Sequence, residues 1–287
     1  MKENTTCLVC SSTIRKGRTP WHGVCPSCRY EGASLTPAIN VKRVHTLVNE
    51  GNREISLKAL RQDNFKDIVL TISALASPSA TKLLDVGSAH GWFLEEASSR
   101  FTVLGIEPDT AVGEKAAERG LPVRYGYFPD VLHSNEQFDV IVFNDVIEHI
   151  PDIESAVKSC NEHLTRDGLL VLNLPSSRGF FYRLSKLISH FGLHGPFERM
   201  WQKDLPSPHV HYFDEANLTS FVSRYGFNLE QSFALESLRV RGLMERLSFV
   251  GNVSKPLLYL QFFAVMCLIP VLRLFPSDIV VLFFRKS

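Results

Sequence analysis

The sequence predicts an α/β fold built on a largely parallel sheet, with a small module ahead of it. From Lys82 onward, short apolar runs alternate with segments of helical periodicity, the pattern of strands joined by crossover helices. The first run, Lys82 to Val86, opens into a turn that contains Gly87 and Gly91, as at the ligand-binding edge of an open sheet. A length of 287 residues and an apolar content of 45% suffice for one large domain and a small module.

The remaining elements follow from the same periodicities. Residues 31–78 carry apolar positions at helical spacing and predict one or two helices that cover the sheet. Strands are predicted at 82–87, 102–107, 122–127, 138–144 and 168–174, with helices near 91–100, 109–119 and 152–164. A helix is predicted at 213–226, with Asp214 at its start, and a sixth strand at 228–235.

Four of the six cysteines form two Cys-x-x-Cys pairs, separated by the fourteen residues 11–24. They are Cys7, Cys10, Cys25 and Cys28. Two such pairs can complete a tetrahedral four-sulfur shell, and a closed shell leaves no position for water. We therefore expect a structural Zn²⁺, with iron as the alternative, in a zinc-ribbon-like module at 1–35. A helical linker at 36–79 would join it to the main domain at 80–287.

The tip of the second predicted strand carries Glu107, twenty positions after Gly87. An acidic side chain there can accept both ribose hydroxyls of an adenosine ligand, whereas the alternative is a solvated loop carboxylate. The preceding turn reads Gly-Ser-Ala-His-Gly instead of the G-x-G-x-x-G that serves a pyrophosphate, and Asp85 just upstream would repel phosphates. The turn therefore favours a cationic ligand such as S-adenosylmethionine over a nicotinamide cofactor.

Five segments in order resemble successive motifs of class I S-adenosylmethionine-dependent methyltransferases, in particular the ubiquinone-biosynthesis-like group. They are LLDVGSAHGWFLEEA, GIEPD, FDVIVFNDVIEHI, DGLLVLNLPS and HVHYFDEANLTSFVSRYGF, within about residues 80–237. The resemblance implies a Rossmann-like, seven-stranded class I sheet with helices on both faces and an antiparallel last strand. It also implies S-adenosylmethionine as the cofactor and methyl transfer as the reaction.

The same resemblance implies which residues bind the cofactor. They are Asp85, Gly87, Ser88, Ala89 and Gly91 for the methionine part, Glu107 and Pro108 for the ribose, Phe128 for the adenine, and Asn144 and Asp145 for the floor near the methyl group. Two departures stand out. Ala89 replaces the usual middle glycine, and the segment GYFPD around Phe128 lacks the usual acidic residue.

Two histidines are candidates for the general base that a hydroxyl acceptor requires. His149 lies in DVIEHI and His211 in HVHYF, and an unperturbed histidine titrates near neutral pH. The alternative is a hydrogen-bonded structural role for either ring. Glu148 beside His149 also hints at a metal, although two adjacent ligands are too few to define a site.

Two segments extend the domain. Residues 176–207 contain an amphipathic helix that predicts a lid over the acceptor, with an ordinary packed helix as the alternative. Residues 256–276 are apolar enough to approach a membrane span, but SDIVVLFFRKS behind them reads as a buried last strand. We therefore expect 240–275 to be a hydrophobic helical segment that is buried, forms a homodimer contact or lies on a membrane surface.

These observations favour an enzyme that methylates a small-molecule, glycan or lipid-linked acceptor, at oxygen. The net charge of +1 disfavours a nucleic-acid partner, although residues 1–62 carry ten Lys and Arg against four Glu. An RNA methyltransferase that uses the basic module is therefore the alternative, and a non-catalytic scaffold is the third. MKENTTC lacks the pattern of a secretory signal, so we expect a cytoplasmic protein, or one peripheral to the inner face of the membrane.

Overall fold

The computed structural model describes residues 6–38, 50–249 and 254–287. Its strands are β1 (Arg15–Lys16), β2 (His22–Val24), β3 (Glu31–Ala33), β4 (Lys82–Val86), β5 (Thr102–Glu107), β6 (Val123–Tyr125), β7 (Phe138–Asn144), β8 (Leu164–Pro175), β9 (His211–Tyr212), β10 (Phe227–Leu235) and β11 (Ile279–Lys286). Its α-helices are α1 (Glu50–Leu75), α2 (Trp92–Ala97), α3 (Thr110–Ala117), α4 (Ile153–His163), α5 (Phe180–His190), α6 (Gly195–Met200), α7 (Glu215–Ser223), α8 (Leu243–Phe249) and α9 (Lys255–Leu272).

Seven strands form the main sheet in the order β10-β11-β8-β7-β4-β5-β6. The neighbours from β8 to β6 run parallel, whereas β11 is antiparallel to both β8 and β10. This confirms the seven-stranded sheet and the returning last strand. The order reverses at β4, so the carboxyl ends of β4, β5 and β7 meet at the crevice where such sheets bind ligands.

Alternation of apolar side chains along the buried strands supplies a core on each face of the sheet. On one face Leu83 and Val142 pack with Ile68 of α1 and Phe93 of α2. On the other face Leu84, Val86, Ile141 and Phe143 pack with residues of α4 and α7, such as Val157 and Phe221. The helices therefore cover both faces, as the resemblance implied.

Boundaries differ from the prediction at two places. The strand predicted at 168–174 begins at Leu164, because α4 passes directly into β8 without a loop. The segment 31–78 was predicted as one or two helices, but Glu31–Ala33 is a strand, and the helix that the structure describes in this segment begins at Glu50. The prediction was wrong for the strand because a run of three residues has no measurable period. The part of that prediction at 39–49 lies outside the described residues.

The amino-terminal module is joined to the main domain through a second sheet, of order β1-β2-β3-β9. Its fourth strand comes from the HVHYF segment, nearly two hundred residues later in the chain. The carboxylate of Glu31 is buried beneath this sheet, where it accepts hydrogen bonds from His22 Nε2 (2.8 Å), Tyr182 Oη (2.9 Å) and Lys186 Nζ (2.5 Å). Burial opposes ionisation, yet these partners keep the pKa of Glu31 below its usual value.

The insertion 176–207 is thereby held against the module. Tyr182 and Lys186 belong to α5, and Phe197 and Trp201 at α6 pack with Trp21 of the module in a buried aromatic cluster. A mobile lid would not carry such buried polar and aromatic contacts. The insertion is a packed wall, and its last residues reach the cavity described below.

The segment between β10 and β11 contains α8 and α9. Leu235 at the end of β10 pairs with Ile279 at the start of β11, so the segment leaves and rejoins the same edge of the sheet. Of α9, only Ile269 is buried, although eleven of its other residues are aliphatic or aromatic. By length and composition alone, α9 could cross a membrane, and among the described residues it is the single helix that meets this test.

Candidate active site

The turn after β4 requires glycine at two positions. Gly87 and Gly91 have φ of +73° and +74°, in the left-handed region, and a Cβ on either would lie 2.5 Å from a neighbouring side-chain carbon. Ala89 between them also has positive φ, at 44°. The alanine that replaces the expected glycine therefore occupies a strained backbone position, and with its methyl group the turn remains open towards the ligand crevice.

Glu107 at the tip of β5 is held by the backbone of two loops. Its Oε2 accepts a hydrogen bond from Ala89 N and its Oε1 accepts one from Asp109 N, both at 2.8 Å. The side chain is 7% exposed, and burial raises its pKa to about 7, against the lowering effect of the two N–H donors. The carboxylate is fixed in one orientation at the cavity wall, with lone pairs remaining for ligand hydroxyls.

Asp85 lies one layer below the cavity surface. It is 1% exposed, and its Oδ1 accepts a hydrogen bond from Asn144 Nδ2 at 3.2 Å, while Asn144 Oδ1 accepts one from Asn173 Nδ2 at 3.3 Å. Burial raises the pKa of Asp85 to about 8, with the charge of Glu107 adding to the rise. Asp85 therefore acts on the site through Asn144, which does line the cavity.

A cavity of about 410 Å³ opens at the carboxyl ends of β4, β5 and β7. This volume is within the usual range for a small-molecule site. Of the residues predicted from sequence, it is lined by Gly87, Ala89, Glu107, Pro108, Phe128, Asn144, Asp145 and His149. Asp85, Ser88, Gly91 and His211 are not among its lining residues. Phe128 stands edge-on to Phe143 at 5.6 Å, which fixes the ring at the predicted adenine side.

Other lining residues lie on α1 and on the insertion, at positions that the sequence did not assign to the site. Arg61 of α1 pairs with Asp145 at 3.1 Å, and Asp145 has the unusual φ of 54°. Gln202 and Ser207 of the insertion and Pro37 behind the module also line the cavity. Ala38 N donates to Pro206 O at 2.7 Å, which ties the module's exit segment to the insertion.

His149 and His209 face Glu148 in a compact cluster. His149 Nε2 lies 3.8 Å from Glu148 Oε1, His209 Nε2 lies 3.9 Å from the same oxygen, and the two rings cross at 4.7 Å. Glu148 is buried, and neither of its oxygens has a hydrogen-bond partner among the described residues. Burial therefore raises its pKa well above the usual value. One ligand atom from each of the three residues lies within 4.8 Å of the others, so the cluster could hold a cation.

The two candidate bases occupy different environments. His149 lines the cavity, and its Nδ1–H donates to Pro208 O at 2.9 Å, which leaves Nε2 as the basic nitrogen. His211 is buried away from the cavity, with Nδ1 at 2.6 Å from Tyr30 Oη and Nε2 at 2.9 Å from Ile150 O. Burial lowers the pKa of His211 to about 4. The structure therefore brings only His149 to the cavity, and His211 joins the module to the main domain.

The four cysteines of the module come together at one point. Cys7 Sγ lies 3.5 Å from Cys28 Sγ, Cys10 Sγ lies 3.4 Å from Cys25 Sγ, and all four sulfurs lie within 4.8 Å of one another. A Zn–S bond of about 2.3 Å in a tetrahedron places sulfurs roughly 3.8 Å apart. The donor set and its spacing therefore fit one tetrahedral Zn²⁺.

Sequence reasoning missed Arg61, His209 and Gln202. Arg61 lies in a long helix whose polar positions carry no distinguishing pattern. His209 was visible in the HVH segment, but nothing in the sequence separates its environment from that of His211. Glu148 was noted beside His149. The third member of the cluster, His209, is distant in the sequence and meets them only in the folded chain.

Comparison with known proteins bears on the family and the fold. A family model described as a methyltransferase domain matches residues 57–232. A ubiquinone biosynthesis O-methyltransferase of Paramagnetospirillum magneticum is 37% identical over 95 residues, covering 31% of this chain and 38% of that protein. The mitochondrial ubiquinone biosynthesis O-methyltransferase of Mus musculus is 28% identical over 196 residues, covering 62% and 53%. The chain thus spans about two fifths to half the length of these relatives.

Solved structures share the fold at low identity. A SAM-dependent methyltransferase from Thermotoga maritima superposes with a TM-score of 0.53 at 16% identity, covering 85% of this chain and 97% of that chain. A chain from the complex between the Haloferax volcanii Trm112 methyltransferase activator and a methyltransferase gives 0.55 at 11% identity, with the same coverage of 85% and 97%. At such identities the likeness supports the architecture alone.

Proposed function

Because this chain belongs to the methyltransferase domain family, we propose that it transfers the methyl group of S-adenosylmethionine to an oxygen of a small-molecule acceptor. The observation that carries the proposal is Glu107, a buried carboxylate fixed by two backbone N–H groups at the wall of a cavity at the strand ends. The relatives named as ubiquinone biosynthesis O-methyltransferases favour oxygen as the methylated atom. Glycan and lipid-linked acceptors belong to the same proposal.

The cavity residues divide between the two substrates. Glu107, beside Pro108, would accept the ribose hydroxyls of the cofactor, and Phe128 would lie against the adenine. The turn that contains Gly87 and Ala89 would lie along the methionine part of the cofactor. The buried Asp85 would act on the site through its hydrogen bond with Asn144. Arg61, Asp145 and His149 would then face the acceptor, since they lie on the side formed by α1 and the end of β7.

The chemistry requires little beyond alignment and removal of one proton. Bound S-adenosylmethionine would supply an electrophilic methyl group, which would form a bond to the acceptor oxygen while its bond to sulfur breaks and a neutral thioether leaves. Proximity and exclusion of water supply much of the rate. The proton of the acceptor hydroxyl passes to His149 Nε2, whose orientation is fixed by the hydrogen bond from Nδ1–H to Pro208 O.

A divalent cation at Glu148, His149 and His209 is the second candidate for activating the acceptor. The specific observation that favours it is the buried Glu148 carboxylate without hydrogen-bond partners among the described residues. Such an ion would lower the pKa of a bound hydroxyl, which is the same task as that of a general base. Turnover measured with and without added Mg²⁺, on protein whose zinc content is unchanged, separates the two: only the metal-assisted reaction depends on Mg²⁺.

The acceptor class is tested by transfer of labelled methyl from S-adenosylmethionine into fractionated cell extract. Label in the small-molecule, lipid or glycan fraction supports the proposal, and label in RNA supports the alternative RNA methyltransferase. A protein that binds no S-adenosylmethionine at millimolar concentration in calorimetry would instead be a scaffold with this fold. Zinc in the module is proposed as structural, and its stoichiometry is measurable by elemental analysis.

A further inference from the structure

We propose that α9 lies in the plane of a lipid surface and attaches the protein to a membrane from one side. The first observation is its chemistry. After Lys255 at its first position, its exposed residues span half of the helix circumference and contain no charged side chain. They are Pro256, Leu257, Tyr259, Leu260, Phe263, Ala264, Cys267, Leu268, Pro270 and Val271. Leu260 and Phe263 at the centre are 66% and 57% exposed. Such an apolar face over eighteen residues is costly in water.

The second observation is that the exposed apolar surface continues beyond α9. Beyond the helix, Leu274 and Phe275 are also exposed, and the ring of Phe275 contacts that of Phe180 at 4.6 Å. Phe180 begins α5, which exposes Leu184 and Leu187 at the next turns of the helix. The apolar surface therefore extends from α9 to a neighbouring element and is larger than one helix.

Topology decides how α9 can meet a bilayer. Its carboxyl end is tied to the sheet, because Ser277 Oγ donates to Leu235 O at the end of β10. Before α9, α8 is packed against α1, and Arg241 just ahead of α8 pairs with Asp63 of α1 at 2.6 Å. Both ends of α9 are therefore on the side of the methyltransferase domain. A crossing helix would place one end on the far side, and the seven residues of α8 are too short to return through roughly 30 Å of hydrocarbon.

The charges at the ends of the helix fit the same arrangement. Lys255 begins the helix and Arg273 follows it, with no Asp, Glu, Lys or Arg between them. Arg273 remains 64% exposed although it pairs with Glu236. A helix in the interfacial plane places such cations at the depth of anionic headgroups while its apolar face enters the acyl boundary. This charge pattern favours a lipid surface over a second copy of this chain.

The first test is flotation of the full-length protein with vesicles of phosphatidylcholine containing phosphatidylglycerol. Wild type should float with the vesicles, and the double variant Leu260→Glu/Phe263→Glu should partition on the order of a hundredfold less, since two large apolar side chains leave lipid. Leu70→Glu is the matched control, because Leu70 is a 69% exposed leucine on α1 outside this surface. Thermal unfolding and S-adenosylmethionine binding report whether each variant is folded.

Undiminished flotation of a folded double variant would overturn the proposal. The proposal would also be overturned if wild type does not float and instead forms a dimer in lipid-free buffer that the double variant converts to monomer. That result would assign the face to a second copy. Orientation is tested by an environment-sensitive fluorophore on the exposed Cys267. Quenchers placed near the headgroups should act more strongly than quenchers at the bilayer centre, and the reverse order would refute the in-plane position.

Discussion

Replacing Glu107 by alanine should weaken S-adenosylmethionine binding more than any change in the surrounding surface. The carboxylate is buried, and its position is fixed by donors from both flanking loops, Ala89 N and Asp109 N. A hydrogen bond to a charged group contributes about 1.5–3 kcal/mol, so the loss of one ribose contact weakens binding by about 10- to 150-fold. The two backbone donors also lose their partner, which adds to the cost.

Isothermal calorimetry measures this effect, with Glu114→Ala on the exposed face of α3 as the matched control. Because burial raises the pKa of Glu107 to about 7, its charged form grows between about pH 6 and 8. Wild-type affinity should therefore rise across that interval, and the rise should be smaller in Glu107→Ala. If a folded Glu107→Ala protein binds as tightly as the control at pH 8, the assignment of the ribose site is wrong.

Two further predictions concern proton binding. His149→Gln should lower the turnover number by about 10²–10⁴-fold while the affinity for S-adenosylmethionine is unchanged. His211→Gln should instead lower the melting temperature and leave the pH–rate profile of the residual activity in place. Equal pH–rate profiles for His149→Gln and wild type would contradict the base assignment. Without ligand, Asp85 has a folded pKa raised to about 8, so its stabilising contribution is full below its unfolded pKa and is lost as pH rises to 8. In denaturant unfolding between about pH 5 and 7.5, Asp85 should make the free energy of unfolding fall by up to about 1.4 kcal/mol per pH unit. Asp85→Asn should remove this slope, and an unchanged slope would refute the prediction.

Periodicity and turn chemistry predicted the edge of the sheet at which the proposed donor half of the site lies. The apolar runs before Gly87 and Glu107 identify buried strands, and the parallel sheet brings their ends together without further information. The apolar run IVVLFF predicted a buried last strand, and the resemblance implied that this strand returns antiparallel into the sheet. Asp85 was predicted to lie against the cofactor, whereas its place beneath Asn144 depends on side-chain packing that the sequence does not encode locally.

The acceptor half, apart from the predicted Asp145 and His149, could not be derived from the sequence, for a physical reason. It depends on contacts between distant segments with weak local signals, such as the two-residue strand β9 and the hydrogen bond between Tyr30 and His211. Pairing of such short strands is specified by tertiary packing, since their own propensity is negligible. The same limit applies to Arg61, which meets Asp145 only after α1 has packed on the sheet.

The path from the cysteine cluster to the acceptor side gives the module a testable role. Ala33 N of β3 donates to Val210 O at 2.9 Å, and Val210 N donates to Glu148 O at 2.8 Å, beside the predicted base. By contrast, the described hydrogen bonds of Glu107 come from its own two loops. A structural metal that organises the module should therefore support the acceptor side and not the donor side.

Cys25→Ser should consequently release the metal, lower the melting temperature and reduce turnover at least about tenfold, while S-adenosylmethionine affinity changes by less than about threefold. Cys160→Ser is the matched control, because Cys160 is a buried cysteine in α4 outside the cluster. Metal content, calorimetry and turnover are measured on the same preparations. Loss of cofactor affinity in step with turnover in Cys25→Ser would show that the module supports the whole fold instead of the acceptor side.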